Sequence, residues 1–280
     1  MIAQRGFSQH DRQAKGGTNV IVTTSLEPTP ETLRHAEELA RRFDLPLVAR
    51  KDDSLTALRK RYEETEILIV SSNGARLEAV GKQPFFFHPN TAAFRIKRLE
   101  RGDNDTMLAV CQIQPGDEVL DATMGLGADA IVFAHGVGKT GRVVGIESEK
   151  TIAWLVEDGL RYWSTESEAL REAMQRVHVL AGDHAEILKS LPTDSFDVVY
   201  FDPMFEETVH SSAGIAGIRE WANSRSLSPE AIAEALRVAR RRVVLKEGKT
   251  GVLYQKFGFT PYRARGNQVV YSYKEKGGGE

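Results

Sequence analysis

Val119-Leu120-Asp121-Ala122-Thr123-Met124-Gly125-Leu126-Gly127-Ala128-Asp129 decides the fold of this chain. A short strand-forming run ends at the acid Asp121. Two glycines follow, and beyond Asp129 an apolar stretch continues from Ala130 to Ala134. That order reads as strand, tight turn, helix. Gly125 and Gly127 let the chain reverse through backbone angles that a side chain would resist. The helix that opens there aims its free N–H groups at whatever sits over the loop. Gly125-x-Gly127-x-x-Ala130 also fits the dinucleotide fingerprint with alanine in the last place, a weak match when it stands alone.

Working outward, strands alternate with helices. Strands are predicted at Glu118–Asp121, Arg142–Ile146, Val177–Ala181, Phe196–Phe201 and Arg242–Leu245, with helices near 127–136, 149–163, 166–175, 184–190 and 228–240. Such alternation means a parallel sheet with helices on both faces. Phe257–Arg263 and Gln268–Tyr273 flank Arg265-Gly266-Asn267 and read as an antiparallel hairpin. The expected fold class is α/β, a doubly wound Rossmann-like sheet with a C-terminal antiparallel hairpin. Residues 1–18 read as a loose tail. Residues 19–84 read as a small α/β domain, with strands Asn19–Thr24 and Leu45–Ala49, helices to Phe43 and Tyr62, and a hairpin at Asn73-Gly74. Residues 85–280 form the second domain.

Composition bounds the rest. With 280 residues, 41% hydrophobic and 27% charged, the chain is an ordered globular protein of one or two domains. The net charge of -2 excludes a generally basic nucleic-acid coat protein. The charge is uneven, however: residues 102–202 hold 18 acidic and 7 basic side chains, and residues 203–280 hold 8 and 13. Cys111 is the single cysteine, so neither an intrachain disulfide nor a cysteine-built zinc site is possible. The polar N-terminus has no apolar signal core, and no run is long enough to span a membrane. Together these read as a cytoplasmic protein. No metal-ligand spacing stands out. Gly136-Val137-Gly138-Lys139-Thr140 mimics the end of a phosphate loop, but Phe133 occupies the place of its first glycine.

The acids narrow the chemistry. Asp121 and Asp129 would repel a pyrophosphate and attract a cationic amino-acid head group, which favours S-adenosylmethionine over NAD. The next three strands also lead into a carboxylate, at Glu147, Asp183 and Asp202. Ligands of open α/β sheets bind outside the carboxyl ends of the strands. Glu147, 20 residues after Gly127, suits ribose hydroxyls, and Asp183 suits an adenine amine or a helix cap. Asp202-Pro203-Met204-Phe205 offers an acceptor, a stiff turn and an aromatic face, which is what a flat base carrying an exocyclic amine needs. Lys246, Arg95 and the run Arg237, Arg240, Arg241 and Arg242 are candidate phosphate contacts. The plainer alternative for each is an ordinary surface or helix-end charge.

These motifs resemble class I S-adenosylmethionine-dependent methyltransferases. More narrowly, they are similar to the ribosomal small-subunit methyltransferase J family, which methylates guanine N2 in small-subunit ribosomal RNA. The resemblance covers roughly residues 85–250 and rests on Asp121 to Asp129, Glu147, Asp183, Tyr200-x-Asp202-Pro203-Met204-Phe205, and Arg242 to Lys246. It implies that Ala128, Asp129, Glu147, Ser148, Asp183, His184 and Asp202 line the cofactor site. It also implies that Asp202, Pro203 and Phe205 act on the acceptor, with ribosomal RNA or the small subunit as partner and S-adenosylhomocysteine as product. Three departures are visible: Ser148 where the family pairs its acid with arginine, Asp183-His184 in place of small hydroxyls, and the acidic Glu206-Glu207 after Phe205. A small-molecule or protein methyltransferase, a nicotinamide oxidoreductase and a non-catalytic RNA-binding protein are the other readings.

Overall fold

A computed structural model of the chain describes residues 20–203, 227–248, 251–262 and 269–277. The 1–18 tail, Phe205, Glu206-Glu207 and the Arg265-Gly266-Asn267 turn lie outside them. The chain divides into two compact units, Met1–Phe87 and His88–Glu280.

In the first unit, strand β1 (Val20–Thr24) is buried throughout and pairs in parallel with β2 (Glu66–Ser71). Helices α1 (Pro30–Arg42) and α2 (Leu55–Tyr62) lie between them in sequence. Thr29 and Ser54 cap these helices, their hydroxyls accepting the N–H of Thr32 at 3.2 Å and of Ala57 at 3.1 Å. Gly74, at φ +94°, turns β2 back into β3 (Gly74–Ala79). Two expectations shift here. Leu45–Ala49 makes only a single bridge, between Leu47 and Val22. Pro46 has no N–H to donate, so the ladder cannot extend through it. Phe85–Phe86 forms β4 and pairs antiparallel with β3, which carries the first unit to Phe87 rather than 84.

The second unit opens with helices α3 (Asn90–Glu100) and α4 (Thr106–Cys111). Then follow β5 (Glu118–Asp121), α5 (Ala128–Val137), β6 (Arg142–Glu147), α6 (Lys150–Tyr162), α7 (Glu168–Gln175), β7 (Val177–Ala181), α8 (His184–Ser190) and β8 (Phe196–Phe201). After these come α9 (Pro229–Val238), β9 (Ala239–Gly248), α10 (Leu253–Lys256), β10 (Thr260–Tyr262) and β11 (Val269–Glu275). The sheet order is β7-β6-β5-β8-β9-β11-β10. The first five of these strands are parallel. β11 is antiparallel to both β9 and β10, so the later strand of the pair is the inner one.

Side-chain alternation sorts the sheet into two faces. Leu120, Ile146, Val199, Phe201, Val243 and Leu245 pack with Leu188 of α8 and Ile232 and Ala235 of α9. Each such buried aliphatic or aromatic side chain contributes about 1.5–3 kcal/mol. The opposite face carries α5, whose Phe133 meets Tyr200 edge-on, with ring centroids 5.1 Å apart. Chain order reverses between β5 and β8, because β6 and β7 lie on one side and β8 and β9 on the other. A doubly wound sheet opens its ligand crevice at that reversal, outside the carboxyl ends of the strands. No helix among the described residues is long and apolar enough to cross a membrane.

Candidate active site

The glycine loop lies at the reversal. Gly125 and Gly127 have φ of +53° and +76°, in the left-handed region, and Gly127 caps α5. The loop is tied to both neighbouring strands: the Met124 N–H donates to the Ile146 carbonyl at 2.9 Å, and the Ala122 N–H donates to that of Tyr200 at 2.8 Å. Met124 fills the space over Gly145, where an added Cβ would stand 2.2 Å from its Sδ. Gly145→Ala must therefore push Met124 and the loop away. The expected result is about 1–3 kcal/mol lost in thermal unfolding.

The strand-end acids divide by burial. Asp121 is 1% exposed, and its Oδ1 accepts the Thr123 N–H at 3.2 Å, which braces the turn. Burial, with Asp129 nearby, pushes its carboxyl well above the ordinary value. Glu147 is 7% exposed and joins two segments. Its Oε2 accepts the Gly125 N–H at 3.1 Å, and its Oε1 accepts the Glu149 N–H at 2.8 Å and the Ser148 hydroxyl at 3.3 Å. Burial raises its pKa, and these three donors oppose the rise. Asp183 caps α8 by accepting the Ala185 N–H at 2.9 Å. The His184 ring stands edge-on to Phe201 at 5.8 Å, and burial lowers its pKa, so it presents a neutral flat surface. Ala128 opens α5, and Pro203 follows Asp202 at the end of β8; both are half-buried.

A charge network joins the remaining residues. Asp129, in the first turn of α5, has both carboxylate oxygens engaged. Oδ1 accepts from Arg95, while Oδ2 accepts from the Tyr200 hydroxyl at 2.8 Å and from Lys246 Nζ at 3.0 Å. The same Nζ donates to Asp202 Oδ2 at 2.6 Å. Arg95 also makes two 2.8 Å bonds to Asp105, the residue that caps α4. Burial works against an ionised Asp129, but Lys246 and Arg95 outweigh it and hold the carboxyl well below its ordinary range. Burial likewise opposes the Lys246 charge, and Asp129 and Asp202 more than restore it. Strand register explains the arrangement. Phe201 pairs with Leu245, so the next positions, Asp202 and Lys246, fall side by side on the face that carries α5.

The basic residues end up in different places from those a surface phosphate contact requires. Lys246 and Arg95 each face carboxylates inside the network. The arginine run lies at the amino end of β9, away from the carboxyl-end crevice. Arg240 bonds Glu118 and Asp197, Arg241 bonds Asp117, and Arg242 is 4% exposed and donates to the Val110 carbonyl and Glu275. Arg237 bonds Glu234 and the Leu188 carbonyl. Acids already pair each of these arginines, Glu234 from the same helix for Arg237 and Asp117, Glu118, Asp197 and Glu275 for the rest. Asp105 belongs to the site and carries no sequence signal of its own; Tyr200 and Thr123, whose hydroxyl accepts the Asp202 N–H at 2.6 Å, lie inside the motifs quoted above without a role that the motifs assign.

A sheet of this order, with a glycine loop and carboxylates gathered at its reversal point, defines a Rossmann-like methyltransferase. The chain belongs to the family whose model is described as "Putative SAM-dependent methyltransferase", which matches residues 38–257. Its cofactor is S-adenosylmethionine. "Uncharacterized protein YpiP" of Bacillus subtilis (strain 168) is 42% identical over 239 residues, covering 85% of this chain and 93% of that protein. Ribosomal RNA small subunit methyltransferase J of Dechloromonas aromatica (strain RCB) is 31% identical over 204 residues, covering 69% and 82%. The SAM-dependent methyltransferase NGO1261 of Neisseria gonorrhoeae shares the fold, with a TM-score of 0.62 at 20% identity over 92% of this chain and 97% of that one. The donor set fits this cofactor. Carboxylates flank a left-handed glycine loop, and among the described residues no lysine or arginine bonds the Glu147 carboxylate.

Proposed function

We propose that this enzyme methylates the exocyclic N2 amine of a guanine in small-subunit ribosomal RNA. The observation that carries this reading is the position of Asp202. It follows β8 at the sheet reversal, beside the glycine loop, with its N–H held by Thr123 and its Oδ2 by Lys246. An exocyclic amine needs an acceptor beside the methyl donor, fixed in direction. The similarity to proteins named ribosomal RNA small subunit methyltransferase J supports small-subunit ribosomal RNA as the acceptor.

When bound, S-adenosylmethionine supplies a methyl group on a sulfonium, a strong electrophile with a neutral leaving group. In this reading Gly125, Gly127, Ala128 and Asp129 shape the amino-acid end of its site, and Asp121 supports the loop from below. Glu147 with Ser148 takes the ribose hydroxyls, and Asp183 with His184 borders the adenine. Asp202 and the carbonyl of Pro203 accept the amine hydrogens, and Phe205 stacks on the base after it leaves the RNA stack. The attacking nitrogen becomes strongly acidic once methylated, so a weak base such as Asp202 is enough to take its extra proton and pass it to solvent. All of these residues belong to the His88–Glu280 unit.

A methyltransferase for a small molecule or a protein is the second reading, favoured by the acidic Glu206-Glu207 after Phe205. Methyl-labelled S-adenosylmethionine, incubated with the enzyme and small subunits from a strain lacking the gene, separates the two. Label in the RNA fraction is the expected result. Label in ribosomal protein, or none in subunits alongside turnover of a small acceptor, supports the second reading instead.

A further inference from the structure

We infer that Lys246 is a positioning residue for methyl transfer. It holds Asp202 ionised, with one oxygen pinned so that the other faces the acceptor. This rests on the placement of Asp202 at the acceptor, and it gives Lys246 a different task from contacting RNA phosphate.

The geometry carries the inference. Lys246 Nζ bonds Asp202 through Oδ2 alone, at 2.6 Å. Among the described residues nothing bonds Oδ1, so that oxygen is left for an incoming amine. The same Nζ reaches Asp129 of the cofactor loop at 3.0 Å. One cation therefore spaces the acceptor carboxylate from the loop that shapes the cofactor site. Lys246 is itself fixed in β9 between two strands, with Leu245 beside Phe201 of β8 and Lys246 opposite Tyr271 of β11.

The groups around Asp202 make the cation necessary. Asp121 comes from β5, Asp129 from α5, Arg95 from α3, Tyr200 from β8, Tyr271 from β11 and Lys246 from β9. Burial first, and then the Asp129 charge, raise the Asp202 carboxyl above its ordinary value, and Lys246 and Arg95 limit that rise without cancelling it. Arg95 is bonded to Asp105 and Asp129 and not to Asp202. With Lys246 removed, Asp202 keeps its burial and its like-charged neighbour but loses its bonded cation. A protonated Asp202 presents an O–H where the amine needs an acceptor.

Two readouts on the full-length protein test this. The first needs no acceptor: 13C-carboxyl NMR of aspartate-labelled protein, with the Asp202 signal assigned by its absence in Asp202→Asn. In Lys246→Met that signal is expected to titrate at a pH higher by about one unit or more, and in Lys246→Arg close to wild type. The second is the pH profile of methyl transfer to small subunits. The acid limb is expected to move upward in Lys246→Met, with a loss of roughly tenfold or more near neutral pH that recovers in part in alkali. Lys246→Arg should restore the wild-type profile. An unmoved Asp202 titration overturns the inference whatever the acceptor is. So does an unmoved acid limb combined with a raised KM for RNA and a flatter salt dependence, the mark of a phosphate contact. If wild-type protein labels no subunit, the RNA reading fails, and the carboxyl titration still decides the role of Lys246.

Discussion

Asp129→Ala is expected to lose about 3–5 kcal/mol of stability. In a protein of this size that corresponds to a fall of roughly 10 °C in thermal midpoint. The reason is what the substitution leaves behind. Arg95 and Lys246 have side chains 17% and 19% exposed, and both point at Asp129, itself 11% exposed. Removing the carboxylate takes one of two acidic partners from each cation, leaving Arg95 with Asp105 and Lys246 with Asp202 in a place that water reaches poorly. The Tyr200 hydroxyl loses its acceptor at the same time. A surface pair makes the control. Arg98 and Asp103 are bonded at 2.9 Å but are 50% and 48% exposed, so Asp103→Ala should cost under about 1 kcal/mol. The sign with pH follows from the depressed Asp129 pKa. Its stabilisation is full above the ordinary carboxyl value of 3.8 and is lost only as pH falls through the lower folded-state value. The gap between wild type and Asp129→Ala should therefore hold from about pH 8 to about pH 5 and close only in stronger acid. Chemical denaturation at several pH values measures this. A gap below about 1 kcal/mol would mean the network is solvated and contributes little. Loss of cofactor binding in this variant would not by itself assign Asp129 to the cofactor, because the fold around it changes as well.

Asp202→Ala is expected to slow methyl transfer by about 10²–10³-fold in single-turnover assays, the size of effect seen when a positioned group that meets developing charge is removed. Cofactor affinity should fall far less. Glu147 and the glycine loop are held by bonds that do not involve Asp202, among them Gly125 N–H to Glu147 and Met124 N–H to Ile146. The contrast between rate and affinity is what places Asp202 on the acceptor side. S-adenosylhomocysteine titration of the same variant supplies the second number. A variant that bound the product poorly but turned over normally at saturation would make Asp202 a cofactor ligand instead.

Much of the sheet and the strand-end carboxylates were legible in the sequence, because both depend on local rules. Alternating strands and helices give the parallel sheet, and a strand ending in Asp121 before two glycines gives the loop. What was not legible depends on which distant residues the sheet brings together. Arg95 reads as a phosphate contact or an ordinary surface charge, yet it turns inward to Asp105 and Asp129. Arg240 and Arg241 read as a basic patch, but neighbouring strands set Asp117, Glu118 and Asp197 against them. Lys246 does carry a signal, in the strand ends. Aligning the ends of β8 and β9, Val199-Tyr200-Phe201-Asp202 against Val243-Val244-Leu245-Lys246, sets the lysine beside the aspartate. Leu45–Ala49 shows the opposite case, where β-forming residues on either side of Pro46 make one bridge and no strand.

The most direct test of the central claim is the identity of the methylated nucleoside. Small subunits from a strain lacking the gene, treated with the enzyme and methyl-labelled S-adenosylmethionine, are digested to nucleosides and resolved by mass spectrometry. Label is expected in N2-methylguanosine and is absent when Asp202→Ala replaces the wild type. Label on a ribose oxygen, on another base position or on a ribosomal protein would contradict it.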